Sequence, residues 1–244
     1  MKIGILKADS VLEQFQPDHG DYPAMFIERL SKNASESITF AVYDVEHGIY
    51  PAALDECDAY VITGSKKSVY DDEDWIYQLE QFVVELDRKR KPLIGVCFGH
   101  QMVAQALGGN TEPAEVGWGV GVHTNQMLVS KSYMQPALSS FNVLVSHKDQ
   151  VAELPANAQL LGSSDFCPFS MFQVAEHIFC IQGHPEFVPE YSRDLMQMRR
   201  EILGENTYQA GVASLQENLD SDTISAWMIN FVREASDRYA AVGD

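Results

Sequence analysis

Residues 92–109, PLIGVCFGHQMVAQALGG, constrain this chain more than any other stretch, because an apolar strand runs into a helix through a single cysteine flanked by glycines. Cys97 has Gly95 two residues before it and Gly99 two after. A buried structural thiol needs neither glycine. A turn sharp enough to push one side chain clear of its backbone needs both, because larger side chains at the ±2 positions would collide. Such a corner belongs at the C-terminal end of a parallel strand, where open α/β sheets place their ligands.

The preceding residues fit that setting. KIGIL, ITFAVYDV and DAYVITGS read as strands from their β-branched and aromatic content, the last ending at Gly64. Between them, YPAMFIERLSKN (22–33) sets Met25, Phe26, Ile27 and Leu30 on one helical face. DEDWIYQLEQFVVELDRKRK is an amphipathic helix, acidic at its start and basic at its end as the macrodipole favours; Asp71, Asp72, Glu73 and Asp74 read as its opening. Alternation of this kind over 1–109 predicts a doubly wound α/β fold with a mainly parallel sheet. From about 116 to 184 the texture changes to short strands and polar turns: VGWGVGVHT, NQMLVS, NVLVSHKDQV, AQLLGSSD and SMFQVAEHIFCIQGH. A β-rich half packed on the same sheet is expected. After HPEF the chain reads as helical, so the expected organisation is one unit: a core over 1–190 and a helical extension over 191–244. Trp227, Phe231 and Ala235 share a face of that extension, which can pack on the core, form a dimer contact or cover the site; the sequence does not choose.

Charge and cysteine usage narrow the function. The 244 residues carry 35 acidic and 17 basic side chains, a net charge of −18, which disfavours a nucleic-acid partner that would need a basic face. The four cysteines show no C-x-x-C pair, the N-terminus reads as a first strand rather than a leader, and no apolar run is long enough to span a membrane. These features suggest a reducing cytoplasm.

A thiol on such a corner gains three things. It projects from the strand end, the helix N-terminus behind it favours a thiolate, and the N–H of Phe98 faces the position where an oxyanion would form. It still needs a base. His19 and His47 lie in polar, loop-like stretches; His100 is in the elbow's own helix; His123 and His177 have no acid aimed at them by spacing. His147 in VSHKDQV and His184 in CIQGHPEF follow strand runs. Glu186 stands two residues after His184, with Pro185 stiffening the link, so it could hold the imidazole tautomer that presents the other nitrogen to a thiol.

Together, GVCFGHQMVAQALGG and QGHPEF resemble the class I, or triad, glutamine amidotransferases, whose nucleophile precedes the His and Glu by a similar gap. The resemblance implies a flavodoxin-like fold with Cys97 as nucleophile, His184 as general acid/base and Glu186 as its orienting acid. It also implies an oxyanion hole from Gly64 and Phe98, substrate contacts from Gln101, Ser146 and His147, and a pocket wall at Trp118. The implied reaction hydrolyses the γ-glutamyl amide of glutamine through a thioester, with no metal or cofactor. The segment TGSKKSVYDDEDWIYQLEQF differs from the shorter, proline-containing loop of biosynthetic subunits. It is more similar to the stand-alone branch that resembles the glutaminase domain of GMP synthetase and includes plant γ-glutamyl peptidases. Two alternatives therefore stay open: a γ-glutamyl hydrolase acting on glutathione-like compounds, and a binding module without chemistry. A separate synthetase subunit and a homodimer are the expected protein partners to test.

Overall fold

The computed structural model describes residues 1–32 and 37–243. β1 (Lys2–Lys7) leads through the short α1 (Gln16–His19) to α2 (Tyr22–Lys32) and β2 (Thr39–Asp44); then come β3 (Ala59–Ile62), α3 (Asp74–Arg88), β4 (Leu93–Val96) and α4 (Phe98–Ala106). Asn33, the last residue of the predicted first helix, lies outside the described residues, as does Asp244 at the end of the tail. The second half adds β5 (Asn110–Pro113), β6 (Gly119–Met127), β7 (Ser140–His147), β8 (Asp149–Glu153), β9 (Ala158–Ser163), β10 (Met171–Val174) and β11 (Ile178–Ile181). Four helices close the chain: α5 (Pro189–Met198), α6 (Arg200–Leu203), α7 (Glu205–Ser214) and α8 (Ser221–Gly243).

Nine strands form one sheet in the order β2-β1-β3-β4-β11-β10-β9-β6-β7. The five from β2 to β11 are parallel, and the β-rich half extends them antiparallel from β10 onward. β3 and β4 are buried along their whole length because helices cover both faces, which is why AYVI and LIGV show no polar alternation. Val61, Ile94 and Val96 face a cluster with Phe26, Trp227 and Phe231; Tyr60, Ile62 and Leu93 face Leu79, Val83, Phe98 and Met102. The tail thus packs on the core: Trp227, Phe231 and Ala235 are buried on α8, and the Trp227 indole N–H donates to the Pro136 carbonyl at 2.9 Å.

Three local features depart from the sequence expectation: VGWGVGVHT and NQMLVS contribute to one strand, β6, rather than two. β5 (NTEP) is too polar and short to read as a strand, yet it pairs with β8 in a separate two-stranded sheet. The run NVLVSHKDQV is two strands, because β7 ends at His147, paired with Gly119 of β6, and the chain changes partners at Lys148 to join β5. That change of sheet turns Ser146–Asp149 into a corner beside the parallel strand ends. No helix among the described residues is long and apolar enough to cross a membrane.

Candidate active site

Cys97 sits at the corner between β4 and α4 with φ +52° and ψ −103°, a conformation that costs a non-glycine residue about 1–3 kcal/mol. The two glycines make that corner sterically feasible. A Cβ on Gly95 would lie 2.5 Å from the Gly99 carbonyl oxygen, and one on Gly99 would lie 2.6 Å from the Ile62 carbonyl oxygen. Helix α4 therefore starts directly against the β3 backbone, and the thiol is thrown off the end of the sheet. Phe98 is the first helical residue, so its N–H belongs to the turn that lacks intrahelical acceptors.

Strand register brings the remaining candidates to this corner. β11 runs parallel to β4 with Ile181 opposite Val96, and the Cys97 N–H donates to the Ile181 carbonyl at 3.0 Å. The next residues of that strand end, Gln182 to His184, therefore emerge beside the thiol. On the other flank Ile62 is opposite Gly95, so Gly64 arrives there too. A Cβ on Gly64 would lie 2.9 Å from His184 Cε1, so any side chain there would push on the imidazole, whereas its 3.8 Å approach to Cys97 Cβ would be ordinary contact. Asp9, at the end of β1, is buried and accepts from the Lys66 N–H at 2.8 Å and the Lys66 ammonium at 2.7 Å, pinning this loop.

The imidazole of His184 is held on three sides. Its N–H backbone group donates to the Leu144 carbonyl at 2.7 Å, its ring stacks on Phe187 at 3.9 Å, and Nδ1 meets Glu186 Oε1 at 2.7 Å. Both side chains are buried, and Glu186 Oε2 has no hydrogen-bond partner among the described residues. Burial alone would push the His184 ring down, but the Cys97 thiol and the Glu186 carboxylate outweigh it and raise the ring to about 10. The site thus favours the imidazolium form of His184 beside Cys97 and Glu186. The sign follows: the stabilising contact is fully present below the ordinary histidine value of 6.5 and fades as pH rises through about 10. In Cys97→Ala the ring loses its largest raising partner. Ring nitrogen shifts followed by NMR are expected to show His184 protonated at neutral pH in the wild type and titrating at lower pH in the variant. Equal titration in both would remove the ion-pair assignment.

Three other buried histidines make different contacts. His100 points from α4 to the Phe169 carbonyl at 2.8 Å, and burial lowers its ring to about 4, so it is a neutral core residue. His177 has an acid that its local sequence does not announce, Asp87, at 3.0 Å and 90 residues away. His147 donates from Nδ1 to the Asp149 carbonyl at 3.0 Å, and burial lowers it to about 3; its Nε2 is buried with no hydrogen-bond partner among the described residues.

A cleft of about 40 Å³ opens beside Cys97 and is bordered by Gln101, Trp118, Ser146 and His147, the four predicted substrate-side residues. The Gln101 side chain is also a brace. Its Nε2 donates to the Asp149 carbonyl at 2.8 Å and to Gln182 Oε1 at 3.0 Å, tying α4 to the β7–β8 corner and to the strand end before His184. Two cleft features escape the sequence reading: the Asp9–Lys66 clasp and Arg199, which also borders the cleft. Arg199 follows α5 as the first of an Arg pair, a pattern that reads only as a basic helix end.

An α/β sheet that presents a thiol on a strained corner, next to a buried imidazole–carboxylate pair, defines the class of thiol-dependent acyl-transfer enzymes. The glutamine amidotransferase class-I family profile matches residues 18–200, and the chain belongs to that family. Gamma-glutamyl peptidase 3 of Arabidopsis thaliana is 34% identical over 180 residues, 70% of this chain and 71% of its own length. A glutamine amidotransferase-like protein of Schizosaccharomyces pombe is 29% identical over 247 residues, covering 95% of this chain and 98% of its own. Among solved structures, a glutamine amidotransferase from Thermotoga maritima shares the fold with a TM-score of 0.72 at 18% identity, over 96% of this chain and 97% of that one.

Proposed function

We propose that this enzyme hydrolyses γ-glutamyl amides by a Cys97–His184–Glu186 triad. The observation that carries the reading is the β4–β11 register, which sets the elbow thiol beside a histidine already locked by a carboxylate. The thiolate attacks the substrate's δ-carbonyl carbon, and the oxyanion is taken up by the N–H groups of Phe98 and Gly64, each donor worth about 3–4 kcal/mol in such sites. The tetrahedral intermediate collapses as the His184 imidazolium gives its proton to the departing nitrogen, leaving a γ-glutamyl thioester on Cys97. Water then gives a proton to the now neutral imidazole and its oxygen to the acyl carbon, releasing glutamate and restoring the thiolate–imidazolium pair. Glu186 keeps Nδ1 protonated throughout, so Nε2 is the nitrogen that exchanges protons.

Two substrates fit this chemistry: glutamine, which would release ammonia, and γ-glutamyl peptides, which would release an amino acid or peptide. The likeness to a γ-glutamyl peptidase supports the second as directly as the family supports the first. With glutamine as substrate, a separate synthetase subunit would consume the ammonia; with peptides no such partner is required. The reading also carries a cytoplasmic location, no nucleic-acid partner for a chain of net charge −18, and the tail 191–244 as an extension of the core unit. A homodimer would be tested by light scattering. The deciding assay measures glutamate released from glutamine and from γ-glutamyl peptides by wild type and Cys97→Ala. Release that persists in the variant would remove Cys97 as the nucleophile, and no release from any γ-glutamyl compound would return the protein to the binding-module alternative.

A further inference from the structure

The charge lining the cleft is inverted relative to the chain. Acids outnumber bases 35 to 17 overall, yet Lys66, Lys67, Lys148 and Arg199 border the cleft against the single acid Asp149. Most of these charges are already spent. Lys66 pairs with Asp9 at 2.7 Å, Lys67 pairs with Glu73, and the Asp149 carboxylate accepts the Ser68 and Tyr70 hydroxyls at 2.5 and 2.9 Å. Lys148 is exposed to solvent, whereas Arg199 is half-buried. Its guanidinium lies over the Trp118 ring, 5.2 Å from the centroid, and Nη1 donates to Ser146 Oγ at 2.8 Å, but no carboxylate pairs with it among the described residues. Those two contacts fix its plane without neutralising it. A half-buried cation held by a ring face and a hydroxyl, in a chain with carboxylates to spare, is costly unless a ligand supplies the anion. The planar fork, already oriented, suits two parallel hydrogen bonds to a carboxylate.

We propose that Arg199 is the carboxylate-recognising residue of the cleft, set by Trp118 and Ser146 and completed only by the substrate. This rests on the γ-glutamyl reading above and adds to it the residue that sets specificity. The carboxylate has two sources in such substrates: the α-carboxylate of the γ-glutamyl part, or a carboxylate on the leaving amine.

The test compares glutamine, γ-glutamylmethylamide and γ-glutamylglycine as substrates of wild type, Arg199→Met and Arg199→Lys. Losing a charge-assisted pair raises KM about 10- to 100-fold with kcat nearly unchanged, and lysine restores part of it. A rise with all three substrates assigns the α-carboxylate; a rise confined to γ-glutamylglycine assigns the leaving-group carboxylate. An unchanged KM for every substrate overturns the proposal, as does an equal loss with methionine and lysine in kcat alone, which would mark a structural role. Calorimetry of γ-glutamylglycine with Cys97→Ala, with and without Arg199→Met, separates this from the chemistry. If the wild type turns over nothing, the catalytic reading fails. Arg199-dependent binding would still uphold the assignment, and binding that is absent or indifferent to Arg199 would sink it.

Discussion

Cys97→Ala is expected to lower γ-glutamyl hydrolysis by about four orders of magnitude or more, with substrate affinity within a few-fold of wild type. The size follows from what the variant keeps. The Phe98 and Gly64 N–H groups and the cleft would still bind the amide and polarise its carbonyl, but no nucleophile would stand within reach of the carbon, and triad members act as one unit. Alanine adds no atoms to a corner whose backbone is set by Gly95 and Gly99, so the fold should be unaffected. Cys97→Ser should be nearly as inactive, because a hydroxyl does not ionise beside His184 as a thiol does, and the imidazolium loses the anion that holds it up. The check is steady-state glutamate release together with an acid quench of the wild type. Mass spectrometry should find the γ-glutamyl adduct on Cys97 alone. An adduct on Cys57, Cys167 or Cys180 would contradict the assignment. The environment already disfavours two of these: burial pushes the Cys167 thiol up to about 12 and the Cys180 thiol well above its ordinary value.

What the sequence shows of this site is whatever lies close along the chain. The elbow is legible because its steric requirement falls at fixed offsets, glycine at two before and two after Cys97. The proposed base is legible because Glu186 lies two residues from His184. The parallel half of the sheet is legible because buried β-strands and amphipathic helices alternate with a clear period. What escapes is set by pairing at long range. Gln101 reads as a substrate contact, yet its amide bridges to Gln182, 81 residues on, so its bracing role exists only after β11 docks beside β4. Arg199 reads as a helix end because nothing local distinguishes it from Arg200; the difference is that it meets Ser146, 53 residues back. The change of sheet at Lys148 has no local signal either, since SHKD is as apt for one strand with a polar patch as for two strands meeting at a corner. Where a function depends on one residue's neighbours in sequence it can be read, and where it depends on a partner brought by topology it cannot.

Gly99→Ala provides the test with the largest expected structural effect, because two principles predict opposite signs. Gly99 lies in the first turn of α4, where alanine is the better helix former by roughly 0.5–1 kcal/mol, so a purely local reading predicts stabilisation. The tertiary geometry predicts the reverse. The new methyl would sit 2.6 Å from the Ile62 carbonyl oxygen and 2.8 Å from Ile62 Cβ, and neither can move, since Ile62 belongs to a central strand bonded on both sides to β1 and β4. Relief must come from α4, which has to lift away from β3 and carry Phe98 and Cys97 with it. Overpacking of this kind costs about 1–3 kcal/mol, and the displaced elbow should lose at least about a hundredfold in kcat, as misplacement near 1 Å does elsewhere. Gly108→Ala is the control, because its Cβ meets nothing within 4 Å although its φ of +89° strains any side chain. It should lose about 1–2 kcal/mol of stability with kcat unchanged. Urea midpoints and kcat for the two variants separate the cases. If Gly99→Ala proved as stable and active as the wild type, α4 would not be pressed against β3, and the corner that turns Cys97 toward the cleft would need another cause.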